Sequence, residues 1–231
     1  MELIEFKDTF CVSLFKEGKH NTSLKPDLLG NLFQNSVEIN CKFTAENNGK
    51  EQWIFSKQGI MNSGVFIKDG IITFELVTTQ NENDFTDSGV SILFEFDNYN
   101  EECELTYKID TENKKLIASF NGEQKEEIYL GKVSDYSNVP LWIGTSNPFV
   151  EEKNYFNGTI TKFEVKNNDG VVTDLDFSNV NRFKVWDKSG NGNFAYIEEF
   201  GNKKIQIKLN KLLTGNSLEA KDIQNLPKTL I

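Results

Sequence analysis

The chain has 231 residues, 38% of them hydrophobic, and a formal net charge of −10. Length and apolar content suit one β-sandwich or two small domains with a genuine core. The acidic balance argues against a nucleic-acid binder, which needs a basic face to follow phosphates.

A mean hydropathy of −0.47 fits a soluble chain, and the apolar runs are far too short to cross a bilayer. Met1 is followed by Glu2 and Glu5 rather than by a basic, apolar leader, so neither an export signal nor a membrane segment is expected. Cys11, Cys41 and Cys103 are odd in number and widely spaced. They read as buried free thiols, not as a disulfide framework or a zinc site. Four prolines, 16 glycines and many asparagines imply many turns between short strands. The sequon matches at Asn21-Thr22-Ser23 and Asn157-Gly158-Thr159 count as chance in a chain without export.

In chain order, Leu3 to Phe6 and Thr9 to Phe15 are candidate strands, followed by a turn over Glu17 to Asn21. The single histidine, His20, lies in that turn, and without a second histidine it supports neither a triad nor a metal site. Ser36 to Ala45 alternates strictly: Val37, Ile39, Cys41 and Phe43 form one face, Glu38, Asn40, Lys42 and Thr44 the other. This is a half-buried strand. Gln52 to Lys57 is the next strand. Gly64 to Lys68 and Ile71 to Thr78 form a hairpin about Asp69-Gly70. A polar loop follows from Thr79 to Gly89, then a strand from Val90 to Phe96. Glu102 to Ile109 and Lys114 to Phe120 form a second hairpin, and Asn121-Gly122 turns the chain into Glu123 to Leu130.

The stretch from Val139 to Val165 holds two further strands, Pro140 to Thr145 and Thr159 to Val165, around an acidic loop that Asn157-Gly158 closes. Ile160 is out of phase with Phe163 and Val165, which predicts a bulge or an early bend. Gly144 and Gly158 fall where a chain bends or passes close to a neighbour. Val171 to Phe177, Phe183 to Trp186 and Phe194 to Phe200 complete the series. Beyond Gly201 the composition changes, with a short basic strand over Lys203 to Leu209 and a segment from Leu212 to Ile231 poor in aromatics. The expected organisation is one domain over residues 1–200 and a C-terminal extension over 201–231, used for docking or oligomerisation.

The words Leu141-Trp-Ile-Gly-Thr-Ser-Asn147 and Tyr155-Phe-Asn-Gly-Thr-Ile-Thr-Lys-Phe-Glu-Val165 resemble the closing strands of laminin G-like, concanavalin A-like jelly rolls. The succession of strands from residue 36 to residue 166 is similar to that family as well. It departs at Glu102 to Tyr107, where a Trp-His pair common in the family is missing. The resemblance implies an all-β, two-sheet antiparallel β-sandwich of jelly-roll topology, and a lectin-like role in binding a glycan or cell-wall polysaccharide.

Glu95 and Asp97 fall two apart on a strand and project to one face. With Asn98 and Asn100 they offer hard oxygen ligands suited to calcium. The segment Phe94-Glu-Phe-Asp-Asn-Tyr-Asn100 also looks like the metal-binding segment of legume-type lectins, though it is shorter before the asparagine and lacks the family's downstream histidine. A wet strand face running into a turn is the plainer reading. The same pair matches the first two positions of a laminarinase-type catalytic strand, but Tyr99 and Asn100 stand where the acid is needed. The chain is therefore read as a non-enzyme.

Sugar binding calls for aromatic platforms beside amides and carboxylates. The residues singled out are Trp142, Tyr107 and Tyr155, with Asn147 and Glu151 from the loop. Trp53, Tyr99 and Tyr136 are further rings of this kind, and Trp186 reads as core. Trp142 and its neighbours Leu141 and Ile143 point to opposite sides, so one set must face out. Asp187, Asn191 and Asn193 read as a hairpin turn or, alternatively, a calcium turn. The unexported, Asn- and Lys-rich chain and its extension look similar to lectin-like parts of bacteriophage tails, baseplates or head fibres. That implies a virion protein, in the bacterial cytoplasm before release, which meets other virion proteins through residues 203–231. The alternative is a structural virion protein that uses the sandwich only as a scaffold.

Overall fold

The computed structural model describes residues 5–6, 10–16, 32–58, 61–79, 87–134, 141–146, 154–181, 184–191 and 193–199. Within them lie sixteen strands and one short 3-10 turn at Leu32–Gln34. The strands are β1 (Glu5–Phe6), β2 (Phe10–Lys16), β3 (Val37–Ala45), β4 (Gln52–Gln58), β5 (Asn62–Lys68), β6 (Ile71–Thr79), β7 (Asp87–Glu95) and β8 (Glu102–Asp110). They continue as β9 (Lys115–Phe120), β10 (Glu123–Ile128), β11 (Lys132–Val133), β12 (Leu141–Ile143), β13 (Gly158–Asn167), β14 (Gly170–Asn181), β15 (Lys184–Asp187) and β16 (Asn193–Glu199). Every pairing is antiparallel.

One sheet runs β10-β9-β8-β3-β13-β14 and the other β2-β12-β4-β5-β6-β7, with β15 and β16 carrying the ladder from the first to the second. Short connections explain much of this order. Asp69 and Gly70 take φ of 51° and 75°, and Asn121 and Gly122 take 46° and 87°. Two successive positive φ values give the turn that matches strand twist, which Asp-Gly and Asn-Gly pairs reach at least cost. At Gly158 the second of the two readings, a close approach to a neighbour, is the one realised. Gly158 opens β13 opposite Ala45, and a Cβ there would lie 2.0 Å from the Thr44 carbonyl oxygen. It is a close pass between backbones, not a turn. The irregularity expected at Ile160 is present as a register shift between Ile160 and Lys162.

The two sheets meet through aromatic side chains. Phe55 of β4 packs edge-on to Phe163 of β13 and to Tyr107 of β8, each with centroids 5.6 Å apart. Phe94 of β7 meets Phe120 of β9 at 6.0 Å, and Phe43 of β3 meets Phe96 at 6.3 Å. Burying each such ring contributes on the order of 1.5–3 kcal/mol, so these contacts hold the layers together. Cys41 and Cys103 are buried free thiols in the same core, and burial pushes both above the ordinary thiol range. Cys11 carries no side-chain description. At the open side, Lys125 of β10 donates to the Leu93 carbonyl of β7 at 2.9 Å and lies 4.2 Å from the Phe94 ring centroid, closing the gap between the two edge strands.

Two features escape a period-two reading. A short β11 pairs with the end of β6. Lys57 is 1% exposed, in register with Ser63 and Leu141. Among the described residues no helix is long and apolar enough to cross a membrane. The expected basic strand at 203–209 and the extension to 231 lie outside the described residues, as do Leu3 and the turn holding His20.

Candidate functional site

The outer faces of the two sheets differ in kind. On the first, charges alternate and neutralise one another. Lys42 pairs with Glu104 at 3.1 Å, Lys108 with Glu38 at 3.8 Å, and Lys166 with Glu164 at 2.8 Å. Asn40 links Glu38 to Glu164 through its amide at 3.0 and 3.4 Å and accepts from Thr106 at 2.8 Å. Burial raises the Glu164 carboxyl, but Lys166 and Lys162 outweigh it and hold the group below its usual value. The described charges of this face are answered by one another.

The outer face of the second sheet is apolar and aromatic where it adjoins β4. A register shift between Trp53 and Phe55 sends Phe55 into the core and leaves Trp53 opposite Phe66 on the outside. The two rings lie 4.8 Å apart at 31°. Glu51 organises the surrounding polar groups. Its Oε1 accepts from the Trp53 indole at 2.8 Å and from the Asn154 amide at 2.7 Å, and its Oε2 pairs with Lys68 at 3.3 Å. Glu75 lies half-buried on the same face of β6, in register with Gly64. Burial, and then the charge of Glu51, raise its carboxyl above the usual range.

The chain reaches this face twice. After β12 it turns across Ser56, whose hydroxyl donates to the carbonyls of Thr145, at 2.9 Å, and of Ser146. It returns at Asn154, whose carbonyl accepts from the Trp53 backbone amide at 3.3 Å. The ends of the acidic loop are thus pinned over β4. Asn147 and Glu151, singled out within that loop, lie outside the described residues, as does Tyr136.

The three rings chosen from sequence are buried. Tyr107 is 0% exposed. It sits between the sheets, stacked on Phe33 at 5.6 Å, with its hydroxyl on the Glu75 carbonyl. Trp142 points away from the core side chains Leu141 and Ile143, but only 1% of it is exposed, and Tyr155 is 5% exposed. Buried this far, none of the three offers an open ring face. Trp53, on the outer side of β4 beside Glu51 and Asn154, is equally buried at 5%, so the accessible ring of its pair is the half-buried Phe66. The bulge that places Trp53 there is not marked within β4 itself.

Glu95 and Asp97 do share an exposed face, alternating with buried Phe94 and Phe96. The asparagines beside them make other contacts. The Asn98 amide donates to Glu101 at 3.1 Å, and Asn100 takes φ of 64° to bond the Ala45 carbonyl through its backbone. Among the described residues no three acidic, cysteine or histidine side chains come together as cation ligands. At the hairpin turn, Asp187 caps backbone: Oδ1 accepts from the Asp174 and Ser189 amides at 2.8 and 2.9 Å, and Asn191 donates to the Val171 carbonyl at 2.7 Å. This is an Asx-type turn; the Asn193 side chain lies outside the described residues.

No family model and no curated protein matches the chain. Solved structures do share its fold. A candidate carbohydrate-binding protein from Bacteroides ovatus superposes with a TM-score of 0.59 at 11% identity, over 87% of this chain and 60% of the other. The LG4-5 domains of the mouse laminin alpha1 chain superpose with a TM-score of 0.50 at 12% identity, over 84% and 47%. The chain therefore spans between about half and three fifths of the length of these proteins. At such identities the likeness shows the fold, a two-sheet antiparallel jelly roll of the laminin G-like kind, and leaves ligands open.

Proposed function

We propose that the chain is a non-catalytic, lectin-like carbohydrate-binding module whose site is the outer face of the second sheet around Trp53 and Phe66. The observation that carries this is the ring pair held by Glu51 beside an amide, an ammonium and a second carboxylate. Sugars present apolar C–H faces to rings and hydroxyls to directional partners, and this patch supplies both. The Bacteroides ovatus protein of the same fold supports the reading by its own description as a candidate carbohydrate-binding protein. Catalysis has no support from the carboxylates. Glu51 commits both oxygens to structural partners, and Glu95 and Asp97 lack the third acidic position.

The finer reading places the module on a phage tail, baseplate or head fibre, where it recognises host-surface glycan and docks on other virion proteins, or on copies of itself, through residues 203–231. Only the style of the sequence supports it. A glycan array probed with the full chain and with Phe66→Ala tests the module. Binding that Phe66→Ala abolishes is expected. Silence across neutral and charged glycans alike would favour the scaffold alternative, which a loss of particle assembly on deleting 203–231 would then support.

A further inference from the structure

The Trp53–Phe66 pair is the start of a longer row. In register across four strands stand Trp53 of β4, Phe66 of β5, Thr73 of β6 and Leu93 of β7. Three strand spacings make this row about 14 Å long. It opens towards its edge. Trp53 is 5% exposed and Thr73 8%, whereas Leu93 is 49% exposed. Acidic groups flank it on both sides. Glu75 stands in the neighbouring row with Gly64 and Ser91, and Glu95 in the other, opposite Ile71. The cations nearby are already paired, Lys68 with Glu51 at 3.3 Å and Lys125 with Glu123 at 3.1 Å.

We infer that this row takes an internal stretch of an uncharged polysaccharide laid across the strands, rather than a terminal or anionic sugar. The inference rests on the carbohydrate-binding reading above and narrows its ligand. The half-buried Phe66 and the exposed Leu93, two strands apart on this row, offer stacking and C–H contact to successive sugar units, and Glu75 and Ser91 of the neighbouring row offer partners to their hydroxyls. A uronate, sialate or sulfate on the same track meets Glu75 and Glu95, while the described lysines nearby are engaged with Glu51 and Glu123, and like charges on one face repel.

The test is calorimetric titration of the full chain with neutral gluco-oligosaccharides from disaccharide to hexasaccharide, with the matching uronate oligomers and with sialyllactose. Leu93→Asp and Leu93→Ala are titrated beside it, their folding checked by thermal melting, because Leu93 sits exposed at a strand edge. Affinity is expected to rise with chain length, to be weaker by about tenfold or more for uronates, and to fall in Leu93→Asp for long oligomers but little for short ones. Equal affinity for disaccharide and hexasaccharide, tighter binding of the charged sugars, or indifference to Leu93→Asp would overturn the inference while leaving sugar binding intact. A dimer in sedimentation that Leu93→Asp dissolves would assign the face to a second copy instead. Absence of binding by any glycan would defeat the underlying reading.

Discussion

Tyr107, on β8 of the first sheet, donates its hydroxyl to the backbone carbonyl of Glu75, on β6 of the second, at 3.0 Å. The bond crosses the core and ends at the strand position whose side chain borders the outer row. Tyr107→Phe removes it while keeping the ring. The expected cost is about 0.5–1.5 kcal/mol, read as a lower denaturant midpoint at unchanged slope. Glycan affinity should be untouched, because the ring is enclosed between the sheets. A fall in affinity without a fall in stability would return Tyr107 to the list of platforms.

Gly158 carries φ of 143° and faces the Thr44 carbonyl with no room for a Cβ. Gly158→Ala must push β13 away from β3 in the middle of the first sheet. A loss of about 2 kcal/mol or more is expected, measured by thermal or chemical unfolding. A melting temperature equal to that of the parent would show that the two backbones are not held this close.

The pH dependence of stability carries the sign of Glu75. Burial, and then Glu51, raise its folded-state pKa above the ordinary 4.5. The native state therefore holds this proton more tightly than the unfolded one. That contribution is fully present below the unfolded value and is lost as pH rises through the folded value. Glu75→Gln should flatten the decline on the alkaline side of 4.5 and leave the neutral-pH protein at least as stable as the parent. A steeper decline in the variant would mean that the ionised carboxylate is stabilised in the fold.

Calcium should change neither melting temperature nor glycan affinity, since the Asn98 amide is turned to Glu101 and Asn100 is held to Ala45 through its backbone. Melting curves in millimolar calcium and in chelator are the check. A rise of several degrees with calcium alone would restore the cation site.

Much of the sandwich is legible in the sequence because alternation and turn chemistry are local. The strict alternation of Val37 to Phe43, the Asp69-Gly70 and Asn121-Gly122 turns and the phase slip at Ile160 each leave a mark within a few residues. Of the candidate site only Trp53 is legible, as one ring among several, and the reason is equally physical. A two-residue period puts Trp53 and Phe55 on one face, and the bulge between them puts them on opposite faces. Gly64, opposite Ser56, permits that bulge: a Cβ there would lie 2.2 Å from the Phe55 carbonyl oxygen. The row from Trp53 to Leu93 then depends on register across β4 to β7, a non-local property. Trp142, for its part, has the alternation of an outward residue and is buried all the same, because the cover over one face of a sheet is not written in the strand beneath it.

The central claim is that sugar is bound on the outer face of the second sheet, at Phe66. Its most direct test is the affinity of Phe66→Ala for a neutral hexasaccharide that the parent binds, with folding verified by melting. The account predicts a loss of roughly tenfold or more, the equivalent of about 1.4 kcal/mol, in a protein that still unfolds cooperatively. A folded Phe66→Ala protein that binds as tightly as the parent would contradict it.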